Sequence, residues 1–361
     1  MKIALVISAY SETGVPLAQL RLASALAAKG HQTDFIVGRT PKGEVISVPN
    51  GVRLIQWRSK RAIDMIPRLM KYLLREKPDI VFSAEDNLNA SVLASAILSR
   101  SKSKITCSSR ISPENVYSNS RFSKGWLLKK YVGSVIQRAD ALTCVSKDMV
   151  PHYAKIFPKV EFHGVYNIFD EAVAREKTEE AISHPWLEDS QIPVCIAAGY
   201  VAPRKGFADL IKAVSVVLKK QPVRLMILGD GPQIEELKGL ATSLGINESI
   251  EFTGHVSNPL KYFSRADVFI LSSLLEGMPN VLIEAMMAGC TPVATDCPTG
   301  PREILESGRY GYLVPMQNPD ALAAGIQSAI SNPVAPGVLA EAIIPFRAET
   351  VIAEHFRLLG L

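Results

Sequence analysis

Short apolar runs rich in branched residues recur along the chain. They cover residues 2–8, 33–37, 78–83, 104–107 and 141–145 in the first half, and residues 193–199, 223–228, 250–253 and 267–273 in the second. Runs of this length, bounded by glycine, proline or polar residues, are typical of buried β-strands. Longer segments with a helical spacing of apolar residues separate many of them. The pattern therefore predicts parallel β-sheets covered by helices on both faces.

The helical spacing is clearest in six segments: residues 17–29, 61–77, 89–100, 126–138, 207–219 and 346–359. Pro67 is expected to start or kink the second of these helices, because proline has no amide hydrogen to donate. Ser146 can cap a further short helix. Pro345 sets the last helix apart from the residues before it.

Length and polarity together suggest two domains. The chain has 361 residues, and 47% of them are hydrophobic, which is enough for two cores. Residues 170–191 are polar and charged, which predicts a linker. We therefore expect an α/β protein with two doubly wound, Rossmann-like domains, one formed by residues 1–168 and the other by residues 169–345.

The stretch from Glu276 to Glu284, EGMPNVLIE, has the features of a ligand-binding loop. It follows a predicted buried strand and precedes an Ala- and Met-rich segment that ends at Gly289, as helices often do. Glu276 is therefore expected on a strand-to-helix loop, and Glu284 about one turn into the helix. In open parallel sheets such a loop faces the ligand crevice.

Residues between the two glutamates can bind an anion through the backbone. The amides of Gly277, Met278 and Asn280 are expected near the helix N-terminus, where anions bind, and Pro279 suits the first helical turn. Two glutamates around a helix start are, by themselves, more often structural than functional. The functional interpretation gains weight from residues 285–296, AMMAGCTPVATD, which continue the motif.

A pair of adjacent cations, Arg204 and Lys205, lies after the strand that ends at Gly199 and before Gly206. Such a pair can hold a diphosphate without a metal ion, Arg through bidentate hydrogen bonds and Lys as a point charge. Taken alone, an Arg-Lys pair is more often a solvated surface feature. Its position between a strand and a helix favours the binding role.

Several glycines lie in loops where a backbone can approach a ligand closely. They are Gly14 in the first loop, Gly229 and Gly231 after the strand of residues 223–228, and the Gly254-His255-Val256 turn. Glycine permits such an approach to phosphate, sugar or base. A lone glycine is more often only a turn residue, and His255 can equally be a plain loop residue.

From about residue 196 to residue 316, these motifs occur in an order that resembles glycosyltransferase family 4. The resemblance implies the GT-B fold, in which two Rossmann-like domains face each other across a cleft and a C-terminal helix, here within residues 346–361, crosses back to the first domain. It implies that Glu284 binds ribose hydroxyls. It also implies that Glu276 lies by the donor sugar, where a carboxylate stabilises oxocarbenium-like charge. Arg204, Lys205, Gly229, Gly231, His255 and Val256 would contact the phosphates and the base of the donor.

The activity implied by the resemblance is retaining, metal-independent transfer of a sugar from a nucleotide-diphosphate sugar. We expect a UDP-sugar rather than a GDP-sugar as donor, and a saccharide or a lipid-linked molecule as acceptor. The nucleotide sugar is then a co-substrate, and the chain needs no cofactor. No metal-binding spacing is found among its five cysteines and six histidines, and there is no Asp-x-Asp pair.

Two positions depart from the family pattern. The family usually has two adjacent glycines in the first loop, and this chain has Thr13 before Gly14. Many members have a histidine after the strand of residues 104–107, and this chain has Ser108-Ser109-Arg110. Branches that assemble bacterial surface polysaccharides often have Ser-x-Arg at this place. Arg110 is therefore our candidate for assistance at the sugar, the alternative being an ordinary ion-paired arginine.

Charge is divided unevenly between the two halves. Residues 1–170 contain 25 Lys and Arg and 13 Asp and Glu, a net charge of +12, whereas residues 171–361 contain 15 and 22, a net charge of −7. Many of the cations flank apolar stripes in residues 58–77 and 121–138, which suits interfacial helices. We expect the first domain to act at an anionic membrane surface. In the alternative, both stripes cover the sheet and the cations form only its solvated face.

The setting implied by the sequence is a reducing one. Several of the five cysteines lie in apolar runs and none forms a C-x-x-C pair, which favours a cytoplasmic protein. With the cationic first half, peripheral attachment to the inner face of the plasma membrane is one option. No apolar run reaches the roughly 18 residues of a membrane span. Residues 1–8 predict an opening strand rather than a signal peptide. We expect no nucleic-acid partner.

Three other classes compete with this interpretation. A catalytically silent nucleotide-sugar-binding subunit would explain the missing histidine and glycine, although the retained Glu276, Glu284, Arg204 and Lys205 argue against it. A nucleotide-dependent oxidoreductase needs G-x-G-x-x-G after the first strand, where this chain has SETGVP. A GT-B sugar epimerase needs other acid and histidine groups than those found.

Overall fold

The structure is a computed structural model that describes residues 1–11, 14–42, 45–189 and 191–361. These residues form two compact units, one of residues 1–169 and 346–361 and the other of residues 170–345. Each unit contains one all-parallel sheet flanked by helices, as the alternation of apolar runs predicted. Thr13, one of the departures from the family pattern, lies outside the described residues.

The first unit contains a seven-stranded parallel sheet. Its strands are β1 (Lys2–Ile7), β2 (Gln32–Val37), β3 (Val52–Gln56), β4 (Ile80–Ala84), β5 (Lys104–Ser109), β6 (Ala141–Cys144) and β7 (His163–Gly164), in the spatial order β3-β2-β1-β4-β5-β6-β7. The chain order reverses between β1 and β4. In a doubly wound sheet, the loops that leave the strands at this switch point are where ligands bind.

The helices of this unit are α1 (Gly14–Ala28), α2 (Ile66–Glu76), α3 (Asp86–Ser99), α4 (Lys124–Val135) and α5 (Val150–Ile156). Pro67 lies in the first turn of α2 and starts this helix, which is one of the two predicted outcomes. Ser146 accepts a hydrogen bond from the amide of Asp148 at 3.1 Å and caps a short 3-10 turn before α5.

Strand β3 was not predicted from the sequence. Only Val52 of its residues is buried, because the strand lies at the edge of the sheet, and the exposed Arg53 interrupts its apolar pattern. The Arg53 guanidinium donates two hydrogen bonds, of 2.7 and 2.6 Å, to the fully buried carboxylate of Asp34 on β2. The arginine whose position obscured the apolar pattern of β3 therefore forms an ion pair with a buried carboxylate.

The second unit contains a six-stranded parallel sheet. Its strands are β8 (Val194–Ala198), β9 (Arg224–Leu228), β10 (Ile250–Gly254), β11 (Val268–Leu271), β12 (Thr291–Thr295) and β13 (Tyr312–Val314), in the order β10-β9-β8-β11-β12-β13. The switch point of this sheet lies between β8 and β11. The loops after these two strands contain Arg204, Lys205 and Glu276.

Helices on both faces cover this sheet. They are α6 (Glu171–Glu179), α7 (Pro185–Glu188), α8 (Phe207–Leu218), α9 (Ile234–Ser243), α10 (Leu260–Phe263), α11 (Asn280–Met287), α12 (Pro301–Ile304), α13 (Pro319–Ser331) and α14 (Pro336–Ala342). Leu210, Ile211, Val214 and Val217 on α8 are fully buried against the sheet. Each buried aliphatic side chain of this kind stabilises the fold by about 1.5–3 kcal/mol.

The prediction of a linker over residues 170–191 is wrong. This segment contains α6 and α7, which belong to the second unit. The carbonyl of Lys177 accepts a hydrogen bond from Asn258 Nδ2 at 2.8 Å, and the imidazole of His184 lies 2.9 Å from the Glu251 carboxylate. The charged residues that suggested a linker lie on the exposed faces of these helices, while Ala174 of α6 is buried in the unit.

The last helix, α15 (Ala348–Leu358), returns to the first unit as predicted. Val351 and Ile352 pack into the core of that unit together with Leu22 and Leu26 of α1. The five cysteines are all free and buried, two in the first unit and three in the second.

Candidate functional site

The centre of the candidate site is an ion pair across the switch point of the second sheet. Lys205 Nζ, on the loop after β8, lies 2.6 Å from Glu276 Oε1, on the loop after β11. The same oxygen accepts a hydrogen bond of 2.6 Å from Ser273 Oγ. Only 12% of the lysine side chain and 8% of the glutamate side chain are exposed. A pair so shielded from water is held in one geometry and is screened little by salt.

Two further bonds connect the same loops. The amide of Leu274 donates to the carbonyl of Arg204 at 2.8 Å, and Ser272 Oγ donates to the carbonyl of Lys205 at 2.8 Å. Gly206 follows with a positive φ of 65°, and a Cβ atom there would lie 2.1 Å from the carbonyl oxygen of Ser272. Only glycine therefore allows this close approach of the two loops.

Arg204 and Lys205 differ in their surroundings. The sequence predicted that both cations hold a diphosphate, Arg204 through bidentate hydrogen bonds and Lys205 as a point charge, but Lys205 already pairs with Glu276. Arg204 is exposed, and no partner for its guanidinium is found within the described part of the chain. Arg204 is thus the cation that an incoming anion would meet first.

The loop after β12 supports Glu276 from the other side. Thr299 Oγ1 donates a hydrogen bond to the backbone carbonyl of Glu276. Burial raises the pKa of the neighbouring Cys297 thiol to about 12, and the negative charge of Glu276 acts in the same direction. Ser273, Cys297 and Thr299 were not singled out from the sequence, although Cys297 and Thr299 directly follow the motif that ends at Asp296.

The start of α11 differs in part from the prediction. Glu284 lies one turn into the helix, as expected, and is partly buried. Pro279 is the residue before the helix rather than part of its first turn. The amide of Asn280 donates to the carbonyl of Met278 at 2.9 Å, so it is already used within the loop. Gly277 and Met278 lie in the same loop, between Glu276 and the helix.

The glycine-rich loops of this unit pack on each other's backbones. An added Cβ atom at Gly229 would lie 2.0 Å from the carbonyl oxygen of Gly199, and one at Gly231 would lie 2.2 Å from that of Val201. The amide of exposed His255 donates to the carboxylate of Asp230 at 3.0 Å, and Val256 is the next residue of that turn. These glycines are thus required by backbone contacts, and their contacts to a donor remain a prediction.

The remaining predicted residues, Gly14 and Arg110, belong to the first unit. Gly14 is the first residue of α1 and has a positive φ of 64° with open space around it, so its backbone conformation alone favours glycine. Arg110 follows β5 and donates a hydrogen bond to Asn167 Oδ1. Burial lowers the pKa of Arg110 to about 10, while the carboxylate of Glu85 favours its charged form.

Glu85 is a candidate that the sequence did not reveal. It follows β4 at the switch point of the first sheet, where its carboxylate accepts a hydrogen bond of 2.6 Å from Ser8 Oγ, after β1. Its backbone has φ 82° and ψ 130°, which is rare for any residue except glycine. Strain of this kind costs about 1–3 kcal/mol and concentrates at functional sites.

The first unit has further buried polar groups near the ends of β4 and β5. The carboxylate of Asp86 accepts hydrogen bonds from Ser109 Oγ at 2.6 Å and from Tyr153 Oη at 2.7 Å, and burial raises its pKa. His355, on α15, packs edge-on against Phe82 at 5.1 Å between ring centroids. Burial lowers the pKa of His355 to about 3, and the positive charge of Arg110 adds to the effect. This histidine is therefore neutral near pH 7.

The two basic segments of the first unit differ in what they expose. The stripe of α2 and the turn before it is mostly buried, with Met65, Leu69 and Leu73 inside the unit. On and before α4, by contrast, Phe122 is 80% exposed and Leu127 is 52% exposed. Lys130 Nζ lies 5.7 Å from the ring of Trp126 in the same region. The first segment also exposes Ile63 (53%) and Leu74 (55%), but the most exposed apolar side chain of the two segments, Phe122, and the contact between Lys130 and Trp126 belong to the second segment.

No helix within the described residues is long and apolar enough to cross a membrane. Within the same residues, no three His, Cys, Asp or Glu side chains cluster so as to hold a metal ion.

Comparison with known proteins gives consistent matches along the chain. Residues 178–344 match the family described as Glycosyl transferases group 1, and residues 14–172 match Glycosyltransferase Family 4. HepE from Anabaena, solved in complex with UDP, has a TM-score of 0.78 at 16% identity, over 100% of both chains. The two units therefore have the GT-B fold.

Several relatives similar in sequence are glycosyltransferases named for the synthesis of bacterial polysaccharides or glycans. The Campylobacter jejuni N-acetylgalactosamine-N,N'-diacetylbacillosaminyl-diphospho-undecaprenol 4-alpha-N-acetylgalactosaminyltransferase is 28% identical over 64% of this chain and 61% of its own length. The amylovoran biosynthesis glycosyltransferase AmsD of Erwinia amylovora is 26% identical over 86% of both chains. The chain spans about 60% of the length of the curated relatives that it matches first.

Proposed function

Because this chain belongs to glycosyltransferase family 4, whose two domains its halves match in turn, we propose that it transfers a sugar from a UDP-sugar to a saccharide or lipid-linked acceptor. The transfer retains the anomeric configuration and needs no metal ion. The reaction belongs to the synthesis of a polysaccharide or glycoconjugate. The UDP found in the similarly folded HepE supports the choice of nucleotide.

The observation that supports this proposal most strongly is the Lys205–Glu276 pair. It lies at the switch point of a doubly wound sheet, where ligands of such sheets bind. Oε1 of Glu276 accepts hydrogen bonds from Lys205 and Ser273. Its second oxygen, Oε2, has no hydrogen-bond partner within the described residues. Oε2 can therefore accept a hydrogen bond from a sugar hydroxyl while Oε1 stays fixed.

The charges at the site fit the departure of a diphosphate. During transfer, the bond between the anomeric carbon and the diphosphate oxygen breaks, and the electron pair leaves with the nucleoside diphosphate. The acceptor's hydroxyl oxygen forms the new bond to the same carbon, and its proton passes to an oxygen of the departing diphosphate. Arg204 and Lys205 would stabilise the charge on the diphosphate, and the carboxylate of Glu276 would stabilise positive charge on the sugar. Glu284 would bind the ribose.

The first unit would receive the acceptor. The Campylobacter relative is named for a diphospho-undecaprenol substrate, which supports a lipid-linked acceptor for this chain. The exposed apolar and cationic residues of α4 fit contact with an anionic bilayer, since Trp and Phe beside lysines suit the membrane interface.

Calorimetric titration with UDP, GDP and NAD tests the donor class. We expect binding of UDP, weaker binding of GDP and none of NAD. Hydrolysis of a panel of nucleotide sugars without acceptor then identifies the sugar. A chain that binds UDP-sugars but hydrolyses and transfers none of them would be a silent binding subunit, which contradicts the proposal.

Two further measurements test the mechanism. Transfer in EDTA should proceed at an unchanged rate, and NMR of the product should show the anomeric configuration of the donor. Complete loss of transfer in EDTA with recovery in Mn²⁺, or an inverted product, would contradict the mechanism.

A further inference from the structure

The first unit contains an open cavity of about 440 Å³ beside the switch point of its sheet. This volume lies in the range of small-molecule sites, roughly 300–1,000 Å³. Its lining comes from the ends of β1 and β2, the turn before α2, the start of α3 and the inner side of α4. The lining residues used below are Ser8, Arg39, Lys60, Arg61, Asn87 and Tyr131.

Three of these residues are cations: Arg39, Lys60 and Arg61. Within the described part of the chain, none of the three side chains pairs with a carboxylate. The lining itself contains no acidic residue. Two carboxylates bond to residues of the lining: Asp64 accepts from the amide of Arg61 at 2.9 Å, and Glu85 accepts from Ser8 Oγ at 2.6 Å. Three cations against these two carboxylates give the cavity and its border a net positive charge.

A buried donor also lines the cavity without a partner. Tyr131 Oη is shielded from solvent and forms no hydrogen bond within the described residues. An unsatisfied buried hydroxyl costs about 1–3 kcal/mol, and an oxygen of a ligand in the cavity would supply the partner that Tyr131 lacks. Asn87, exposed at the start of α3, adds an amide at the same wall. Cations and neutral donors together are the chemistry that binds phosphate groups.

We propose that this cavity binds the phosphate or diphosphate group of the acceptor, separately from the donor diphosphate at Arg204 and Lys205. Two arginines can bind phosphate oxygens through paired hydrogen bonds, and Lys60 adds a point charge. The cavity borders α4 through Leu128 and Tyr131, and α4 also has the exposed Leu127. An acceptor whose lipid lies at the exposed side of α4 can therefore reach the cavity with its head group.

This inference rests on the proposed function only for the identity of the acceptor. The binding of an anion by the cavity can be tested without any sugar transfer. If pyrophosphate binds while transfer is absent under all conditions, the proposed function fails and the anion site remains. If transfer occurs but no pyrophosphate binds outside the donor site, the anion site fails and the proposed function remains.

The experiment is calorimetric titration of inorganic pyrophosphate into the full chain saturated with UDP, so that the donor site is occupied. We expect one pyrophosphate to bind per chain. The double variant R39Q/R61Q should weaken this binding on the order of 100-fold, because two charged hydrogen-bond donors are lost. The matched control K71Q/R75Q removes two exposed cations of α2 that do not line the cavity, and it should bind as the wild type does.

Vesicles of dioleoylphosphatidylglycerol distinguish a diphosphate from a lipid head group. We expect the wild type and R39Q/R61Q to bind these vesicles equally. The inference is overturned if UDP abolishes pyrophosphate binding, or if K71Q/R75Q weakens it as much as R39Q/R61Q does. It is also overturned if R39Q/R61Q loses vesicle binding while its pyrophosphate binding is unchanged. Thermal unfolding of both variants confirms that they are folded, which we expect because the replaced side chains are exposed.

The conservative variant Tyr131→Phe gives an independent measurement. It removes only the hydroxyl that lacks a partner, so it should weaken pyrophosphate binding about tenfold and leave UDP binding unchanged. Unchanged pyrophosphate binding in this variant would remove Tyr131 from the site.

Discussion

Lys205 Nζ lies 2.6 Å from Glu276 Oε1, and this contact connects the loops after the two strands at the switch point of the second sheet. A similar contact connects the loops after the two switch-point strands of the first sheet. There, Ser8 Oγ donates a hydrogen bond of 2.6 Å to the Glu85 carboxylate. Each unit thus has a polar contact at its switch point, with a glutamate that follows the strand across it. In the second unit the partner is a cation, as expected where a diphosphate binds.

Replacement of the two glutamates of the donor site should change different kinetic constants. Glu276→Ala removes a group at the reacting centre, so kcat should fall by about 100- to 1,000-fold. Glu284→Ala removes a ribose contact that is equal in the ground and transition states, so KM should rise about tenfold with a smaller effect on kcat. Steady-state kinetics with a UDP-sugar measures both effects. Near wild-type activity in both variants would contradict the site.

Replacement of the two adjacent cations should separate stability from binding. Lys205→Ala leaves the carboxylate of Glu276 shielded and unpaired, which should lower the free energy of unfolding by about 2–3 kcal/mol. Arg204→Ala affects an exposed side chain, so stability should change by less than about 0.5 kcal/mol while affinity for UDP falls. Urea unfolding and UDP titration distinguish the two. Equal stability of both variants would show that the ion pair contributes little.

The strained backbone at Glu85 gives a test that compares two small residues. Glycine adopts φ 82° without strain and alanine does not, so Glu85→Gly should be more stable than Glu85→Ala by about 1–2 kcal/mol. Both variants lose the carboxylate that faces Ser8 and Arg110, so both should lose about tenfold in transfer if Glu85 positions these groups. Urea unfolding measures the first effect. A more stable alanine variant would disprove the strain.

Membrane attachment should depend on α4 rather than on α2. Wild type should sediment with vesicles that contain anionic lipid at low salt, since each cation near such a surface contributes about 1 kcal/mol. Phe122→Ser combined with Leu127→Ser, and separately Lys124, Lys129 and Lys130 replaced by Glu, should each reduce sedimentation at least tenfold. Lys71→Glu combined with Arg75→Glu on α2 is the control. Loss of sedimentation only in this control would show that α2, and not α4, contacts the membrane.

The buried His355 should make the first unit less stable in acid. Its pKa is about 3 in the folded chain and about 6.5 when unfolded, so below pH 6.5 only the unfolded chain takes up the proton. This group therefore lowers the free energy of unfolding as the pH falls, by about 2 kcal/mol between pH 7 and pH 5. His355→Leu should flatten the pH dependence of the free energy of unfolding by that amount. An unchanged slope in His355→Leu would contradict the assignment.

The elements that were predicted correctly are those whose signal is local. Strand β1 and helix α8 have uninterrupted apolar patterns, and Glu276 and Glu284 were placed correctly because strand, turn and helix are adjacent in the sequence. Strand β3 was missed because Arg53 breaks its pattern. Helix α6 was interpreted as a linker because its sequence is mostly charged and Ala174 is its one buried residue.

The contacts within the sites could not be predicted in the same way. Lys205 and Glu276 are 71 positions apart, and their pairing depends on the order of the strands, which periodicity does not give. Glu85 was found through its unusual backbone dihedral angles, which the sequence does not reveal. The amide of Asn280 looked available for an anion because its bond to Met278 depends on the detailed shape of a short loop.

The buried thiols have a practical consequence for following motions of each unit. Burial raises the pKa of all five cysteines, to about 12 for Cys107 and Cys297, so few thiolates exist near pH 7 and alkylating reagents have little to attack. A single cysteine introduced on the surface would therefore accept a fluorescent label selectively, without removal of the native five. The slow alkylation of Cys107 and Cys144 would meanwhile time the opening of one unit, and that of Cys195, Cys290 and Cys297 the opening of the other.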